Sequence, residues 1–235
     1  MNFLSHSLPY LDRPVVAVAT GVPDWLSVVD RKIRARSRSA IPFLEVQDSN
    51  LRDVARGIVQ HHHDDRWFHG TEAFVRTNME FAVQLRDRLP GDAGFRPTFV
   101  GHILIEMFLD GIAIRRRPDL AERYYQAIEE VGADEIERCV NQITGKPTNG
   151  LRPVIERFLE VKFLYDYLDG ERLLFRLNQV MNRVGLEPLP RSLLGWLPEA
   201  EKLVESRRDD LLAAADASRD AISPVDNDTN SNNSI

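Results

Sequence analysis

Apolar positions recur along this chain at three- and four-residue intervals, the spacing of one helix face, and no strand-type alternation runs long enough to count. Pro14–Val29 is apolar with small residues at Ala17, Ala19 and Gly21, which suits a buried helix packed closely on its neighbours. Pro23 is expected to kink or divide it. A polar connector over 37–48 leads to a helix over 50–66, capped from Asp48, Ser49 or Asn50, with Leu51, Val54, Ile58 and His61 along one side. Gly70 and Thr71 break the pattern. Thr71 then caps a helix running to 88, with Phe74, Met79, Phe81 and Leu85 as its apolar positions, and residues 89–94 read as a turn.

The next segment, 98–114, is almost wholly apolar except for His102, Glu106 and Asp110. Further helices are predicted over 118–131, 133–143, 151–168, 171–184 and 192–217, punctuated by glycine and proline. The pattern predicts an all-α, compact helical bundle. It reads as a single domain over 1–219, followed by a disordered polar tail over 220–235.

Composition narrows the class. A chain of 235 residues that is 43% hydrophobic can bury one substantial core. No run reaches the roughly 18 uninterrupted apolar residues of a membrane span, and the start lacks the form of a secretory signal. The single cysteine, Cys139, points to a reducing compartment, so a cytoplasmic location is expected. With 36 acidic against 30 basic residues, no nucleic-acid partner is expected. Basic residues do cluster, in the run from Arg31 to Arg38 and at Arg115-Arg116-Arg117. Arginine forks suit phosphate oxygens, and such segments also serve as solvated helix ends.

The chemistry lies in the histidines. Five of six fall in two segments, His61-His62-His63 through His69 and the helix bearing His102. His61 with Asp65, and His102 with Glu106, stand four residues apart, so each pair shares a helix face. Two helices offering such pairs face to face make a mixed nitrogen and oxygen site for a divalent metal. His102, Glu106 and Asp110 form one polar stripe on a buried helix, which requires a cation or a tight hydrogen-bond network. His61-His62-His63 cannot all face inward, since successive helical residues point about 100° apart; at least one is expected to face solvent, His62 or His63 before His61. His6 and Asp24 are further ligand candidates from the N-terminal segment.

Short blocks of the sequence resemble the acyl carrier protein phosphodiesterases, HD-domain-like helical hydrolases. Met1-Asn2-Phe3-Leu4-Ser5-His6 matches the family's M-N-F-L-x-H opening. Pro23-Asp24-Trp25-Leu26 is similar to its A-D-F-(V/L) element, and Gly57-Ile58-Val59-Gln60-His61 followed by Asp65 to its G-I-x-x-H-x-x-x-D element. The helix with His102, Glu106, Phe108 and Leu109 resembles its later acid-x-x-x-acid-x-F-L helix. The likeness spans roughly residues 1 to 115 and departs in carrying His102 where the family has an acid. It implies an HD-domain-like fold, a divalent metal that is manganese before iron or zinc, and His6 and Asp24 among the ligands. The implied reaction is hydrolysis of a phosphodiester on an acidic carrier protein.

The function expected is a metal-dependent phosphohydrolase or phosphodiesterase acting on a phosphate ester. Its metal ligands would be His6, Asp24, His61, Asp65, His102 and Glu106. His69 is a candidate base or additional ligand, Asp110 a group that orients His102 or extends the site, and Arg115 and Arg116 a clamp for substrate phosphate. The alternatives are an oxidative diiron-type protein, which usually carries Glu-x-x-His pairs that are missing here, and a non-catalytic helical module.

Overall fold

The computed structural model describes residues 1–29, 32–89 and 94–213; the expected tail, the end of the last predicted helix and most of the turn at 89–94 lie outside them. Among the described residues the protein is all-α, without a strand. Its helices are α1 (Phe3–Ser7), α2 (Pro14–Ala19), α3 (Val22–Val29), α4 (Ser37–Ala40), α5 (Ser49–Gly70), α6 (Glu72–Arg88) and α7 (Pro97–Arg116). They continue as α8 (Asp119–Val131), α9 (Ala133–Thr144), α10 (Leu151–Val161), α11 (Gly170–Arg183), α12 (Leu197–Ser206) and α13 (Arg208–Leu212).

Local chemistry sets the boundaries of the helices that matter most. Asp48 caps α5, its side chain accepting from Leu51 N at 3.1 Å. Thr71 closes α5 and opens α6: its hydroxyl donates to Phe68 O at 2.9 Å and accepts from Phe74 N at 3.2 Å. Pro97 stands in the first turn of α7, where its missing N–H costs nothing. The expected helix over Pro14–Val29 is divided into α2 and α3, with the break at Thr20 and Gly21 and Pro23 in the first turn of α3.

Three expectations are corrected. The expected helix over 192–217 is broken: Arg191–Gly195 form a 3-10 segment, and α12 and α13 are separated at Arg207. Residues 151–168 are not one helix: Lys162 takes a left-handed φ of 47°, and Phe163–Leu168 continue as a 3-10 segment. Aromatic packing holds the turned chain, with Phe163 edge-on to Phe158 and Phe3 at centroid distances of 4.9 and 5.9 Å. Met79 is not an inward position of α6 but 57% exposed. It lies about 200° around the helix from Phe81, which is buried with Phe74 and Leu85 on the opposite face.

The core is continuous from Met1 to Leu211, with α5 and α7 at its centre. The hairpin partner α6 joins them in sequence, and α1 lies against α7 and α2. Close approach of α2 to α5 depends on Gly57, where a Cβ would fall 2.5 Å from Ala19 Cβ. That contact sets the depth at which the histidine face of α5 meets the N-terminal segment. α7 is long and apolar enough to cross a membrane by composition, but 72% of its most apolar window is buried inside the protein. Core packing accounts for its apolar character, which is compatible with no membrane span.

Candidate metal centre

α5 carries three chemistry-bearing residues on one stripe: His61, Asp65 and His69, at successive four-residue steps. The His61–Asp65 pair is formed, with Nε2 3.4 Å from Oδ2. α1 brings His6 onto it. The His6 and His61 rings are 4.3 Å apart between centroids, and His6 Nε2 is 3.2 Å from Asp65 Oδ1. Behind His6, Asp64 Oδ2 lies 3.5 Å from Nδ1, and Asp64 is itself held by Gln60 Nε2 at 2.6 Å. A carboxylate behind one ring nitrogen fixes the ring and directs the other nitrogen at the centre.

The second group gathers on α7. Glu106 Oε1 is 3.1 Å from His102 Nε2 on its own helix and 2.9 Å from His69 Nε2 at the end of α5. The two imidazoles are 4.4 Å apart, and Phe74 packs against both. His6, His61 and Asp65, and likewise His69, His102 and Glu106, each offer three donor atoms within 4.8 Å of one another. His69, expected as a base or an additional ligand, is thus the third donor of the second group.

One cation already sits between the groups. The Met1 α-ammonium is buried and donates to Asp65 Oδ1 at 2.8 Å and to Glu106 Oε1 at 3.0 Å. Burial disfavours that charge, but the two carboxylates outweigh it and push its pKa up to about 11. Burial would raise Asp65 and Glu106, yet the ammonium and the imidazoles hold both well below the usual carboxylate range. Burial also opposes a charged His6, as does the ammonium; its contacts with Asp64 and Asp65 prevail and raise it to about 9. His61, enclosed and facing other cations, is driven well below the ordinary histidine value. The centre is therefore built around positive charge.

The donor set also fits a metal by what it leaves unsatisfied. His61 Nδ1 is buried with no hydrogen-bond partner among the described residues, and the neutral ring has a lone pair there to offer a cation. His6 Nε2, 3.2 Å from Asp65 Oδ1, also lacks an aligned hydrogen bond, and the protonated ring would have to give up a proton to join as a ligand. Asp24, on the first turn of α3, lines the same cleft as Met1 and Glu106. Burial, with repulsion from Asp65, pushes its pKa up to about 7. Comparison with family models, with curated proteins and with solved structures gave no match to this chain. The site's meaning rests on its own geometry.

Other expected site residues are placed differently. Asp110 is fully buried, and its oxygens accept from Leu4 N at 3.1 Å, Ser5 N at 2.8 Å and Ser5 Oγ at 2.6 Å. It neither orients His102 nor reaches into the cleft. It clamps α1, and through α1 it sets the position of His6. Arg115 and Arg116 do not face the centre. Nine and ten residues beyond Glu106 on α7, roughly 13–15 Å along the axis, they pair with Glu201 and Glu205 of α12, and Arg115 also donates to Leu168 O. Their expected role as a phosphate clamp is corrected: acids of a neighbouring helix use them. His62 turns away to Ala35 O at 2.6 Å, and His63 lies 3.9 Å from Asp64 Oδ1. The sequence reading missed Met1, Gln60 and Asp64. Gln60 and Asp64 had a signal, a second i, i+4 pair one residue behind His61 and Asp65. The ammonium had none, because nothing in the pattern marks a backbone amine.

Proposed function

We infer that this protein is a metal-dependent phosphoric ester hydrolase, a divergent relative of the HD-domain-like acyl carrier protein phosphodiesterases, acting in the cytoplasm. The observation that carries this reading is the pair of His-His-carboxylate groups flanking one buried positive charge. His6, His61 and Asp65 would hold one divalent ion, and His69, His102 and Glu106 a second; Asp24 faces the same space. Mixed imidazole and carboxylate donors suit manganese first, with iron or zinc as alternatives. A bound divalent cation supplies Lewis acidity, making a coordinated water nucleophilic near neutral pH and polarising a phosphoryl oxygen.

The chain's own residues do the rest. Asp64 keeps His6 Nε2 turned inward, and Asp110 keeps α1 seated so that His6 stays over His61. His69 and His102 are about one-third exposed, so the second group meets incoming substrate. In the reaction a water oxygen bonds to phosphorus and the bond from phosphorus to the alcohol oxygen breaks. One water proton passes to the departing alkoxide.

The test is elemental analysis of protein purified without chelator, followed by phosphomonoester and phosphodiester substrates with and without added manganese. At least about one metal ion per chain, with manganese-stimulated release of an alcohol, is the expected result. Less than about one-tenth of a metal per chain would overturn it. A preparation with strong near-ultraviolet and visible absorption would favour a diiron centre.

A further inference from the structure

α6 carries apolar side chains on two faces. Phe74, Phe81 and Leu85 are buried on one, against the core. On the other, Val75, Met79 and Val83 are 49%, 57% and 54% exposed, at successive four-residue steps. Glu72 stands one turn before this run and Arg86 one turn after it, and both are exposed. At about 100° per residue all five lie within about 40° of Met79 around the helix axis, so they form one straight stripe about 21 Å long. Large apolar side chains scattered singly over a surface are ordinary. Three in line on one helix face are the pattern of a helix that packs on another helix.

The order of the stripe selects the partner. Val75 and Val83 each stand four residues from Met79, and Glu72 and Arg86 each stand seven. A two-fold axis at Met79, perpendicular to the helix, therefore sets Met79 on its own copy, Val75 on Val83, and Glu72 on Arg86. A parallel pairing would instead set Glu72 on Glu72 and Arg86 on Arg86, like charge on like. Neither charge is firmly used within its own chain. Arg86 has no ion pair among the described residues. Glu72 has a 3.8 Å contact with Arg76, in which the two side chains are 85% and 70% exposed, a pairing worth little in water.

We propose that this stripe binds a second copy of the chain, α6 against α6, antiparallel about a two-fold axis at Met79. The apolar residues supply the affinity, and the Glu72–Arg86 pairs fix direction and register. Five residues a side is fewer than the roughly 20–30 of a standard interface, so the dimer is reversible, with a dissociation constant on the order of 10–100 µM. The proposal is independent of the hydrolase reading, since none of the five residues belongs to either donor group.

Sedimentation equilibrium of the full chain, from about 1 to 500 µM, tests it by a mass that rises with concentration from one copy toward two. Met79→Glu opposes two carboxylates on the axis and should weaken the dimer at least about 30-fold, while the Tm of the dilute protein stays unchanged at this exposed position. Glu72→Arg and Arg86→Glu each set like charges opposite one another and should weaken it about fivefold or more. The two together restore opposite charges and should return the affinity to within about twofold of wild type. A chain that stays monomeric to about 500 µM overturns the proposal and leaves the face to a different partner. A dimer indifferent to Met79→Glu overturns it as well, because the copies then meet elsewhere. So does a charge swap that restores nothing, since the register is then wrong. A Tm lowered by Met79→Glu in dilute protein would show the face covered within the chain itself, which equally overturns it.

Discussion

The two donor groups use the same chemistry with opposite exposure. In the first, His6 and His61 are 0% and 5% exposed at the side chain, while Asp65 is 31% exposed. In the second, His69 and His102 are 30% and 31% exposed, and Glu106 is 11%. One group has its rings enclosed and its acid near water; the other has its acid enclosed and its rings near water. Enclosed rings cannot reorient without disturbing packed neighbours, so under the proposed reading the first group would be the more rigid holder of an ion. Open rings exchange partners easily, so under the proposed hydrolase reading the second group would be the one that meets substrate. On that reading, identical ligand types would do different work according to which member faces solvent.

The sharpest way to break this comparison is to remove one ring from each group. His61→Ala should weaken metal binding at the first group by more than about 100-fold, and His102→Ala should do the same at the second while leaving the first filled. Metal content of the two variants against wild type separates the cases. If both variants lose all metal together, there is one shared site and the contrast fails. A smaller effect sharpens it: Asp64→Asn should cost about 10- to 100-fold in affinity at the first group alone, because only His6 has this acid behind it. Competition with a fluorescent chelator would read that change; equal loss at both groups would mean Asp64 acts through general packing.

The smallest prediction is an internal control far from both groups. Glu135 is held at about 2 by hydrogen bonds from Arg138 and Asn50 against a slight burial penalty. A depressed carboxylate stabilises the fold above its unfolded pKa near 4.5, and that contribution fades as pH falls toward 2. Because Arg138 is largely exposed, the term is about 1 kcal/mol or less. Glu135→Gln should lose this amount at pH 7 and nothing near pH 2 in denaturant titrations, with or without chelator. A chelator-dependent difference would show that the metal groups are coupled to this surface.

Sequence patterning made the helices legible where their ends are chemical. Asp48 and Thr71 cap α5 and α6 as their residue types predict. The 151–168 segment misled because its break at Lys162 needs no glycine or proline; aromatic packing on Phe3 and Phe158 stabilises the turn. Met79 misled because apolar character alone does not specify a face. In the site, the pairs His61–Asp65 and His102–Glu106 could be read directly, since four residues fix two side chains on one helix. Arg115 and Arg116 could not, since their partners Glu201 and Glu205 lie some ninety residues away.

What the sequence determined by itself was direction along each helix: which rings and acids share a stripe, and where each stripe stops. Only the tertiary structure decided which stripes meet. It set His6 over His61, joined His69 to His102, placed one ammonium between Asp65 and Glu106, and turned Asp110 from the centre to the clamp on α1. The physical reason is range. Helical geometry propagates over a few residues through backbone hydrogen bonds. The contacts that assemble this centre join residues as many as 106 positions apart, and their geometry is set by how whole helices pack.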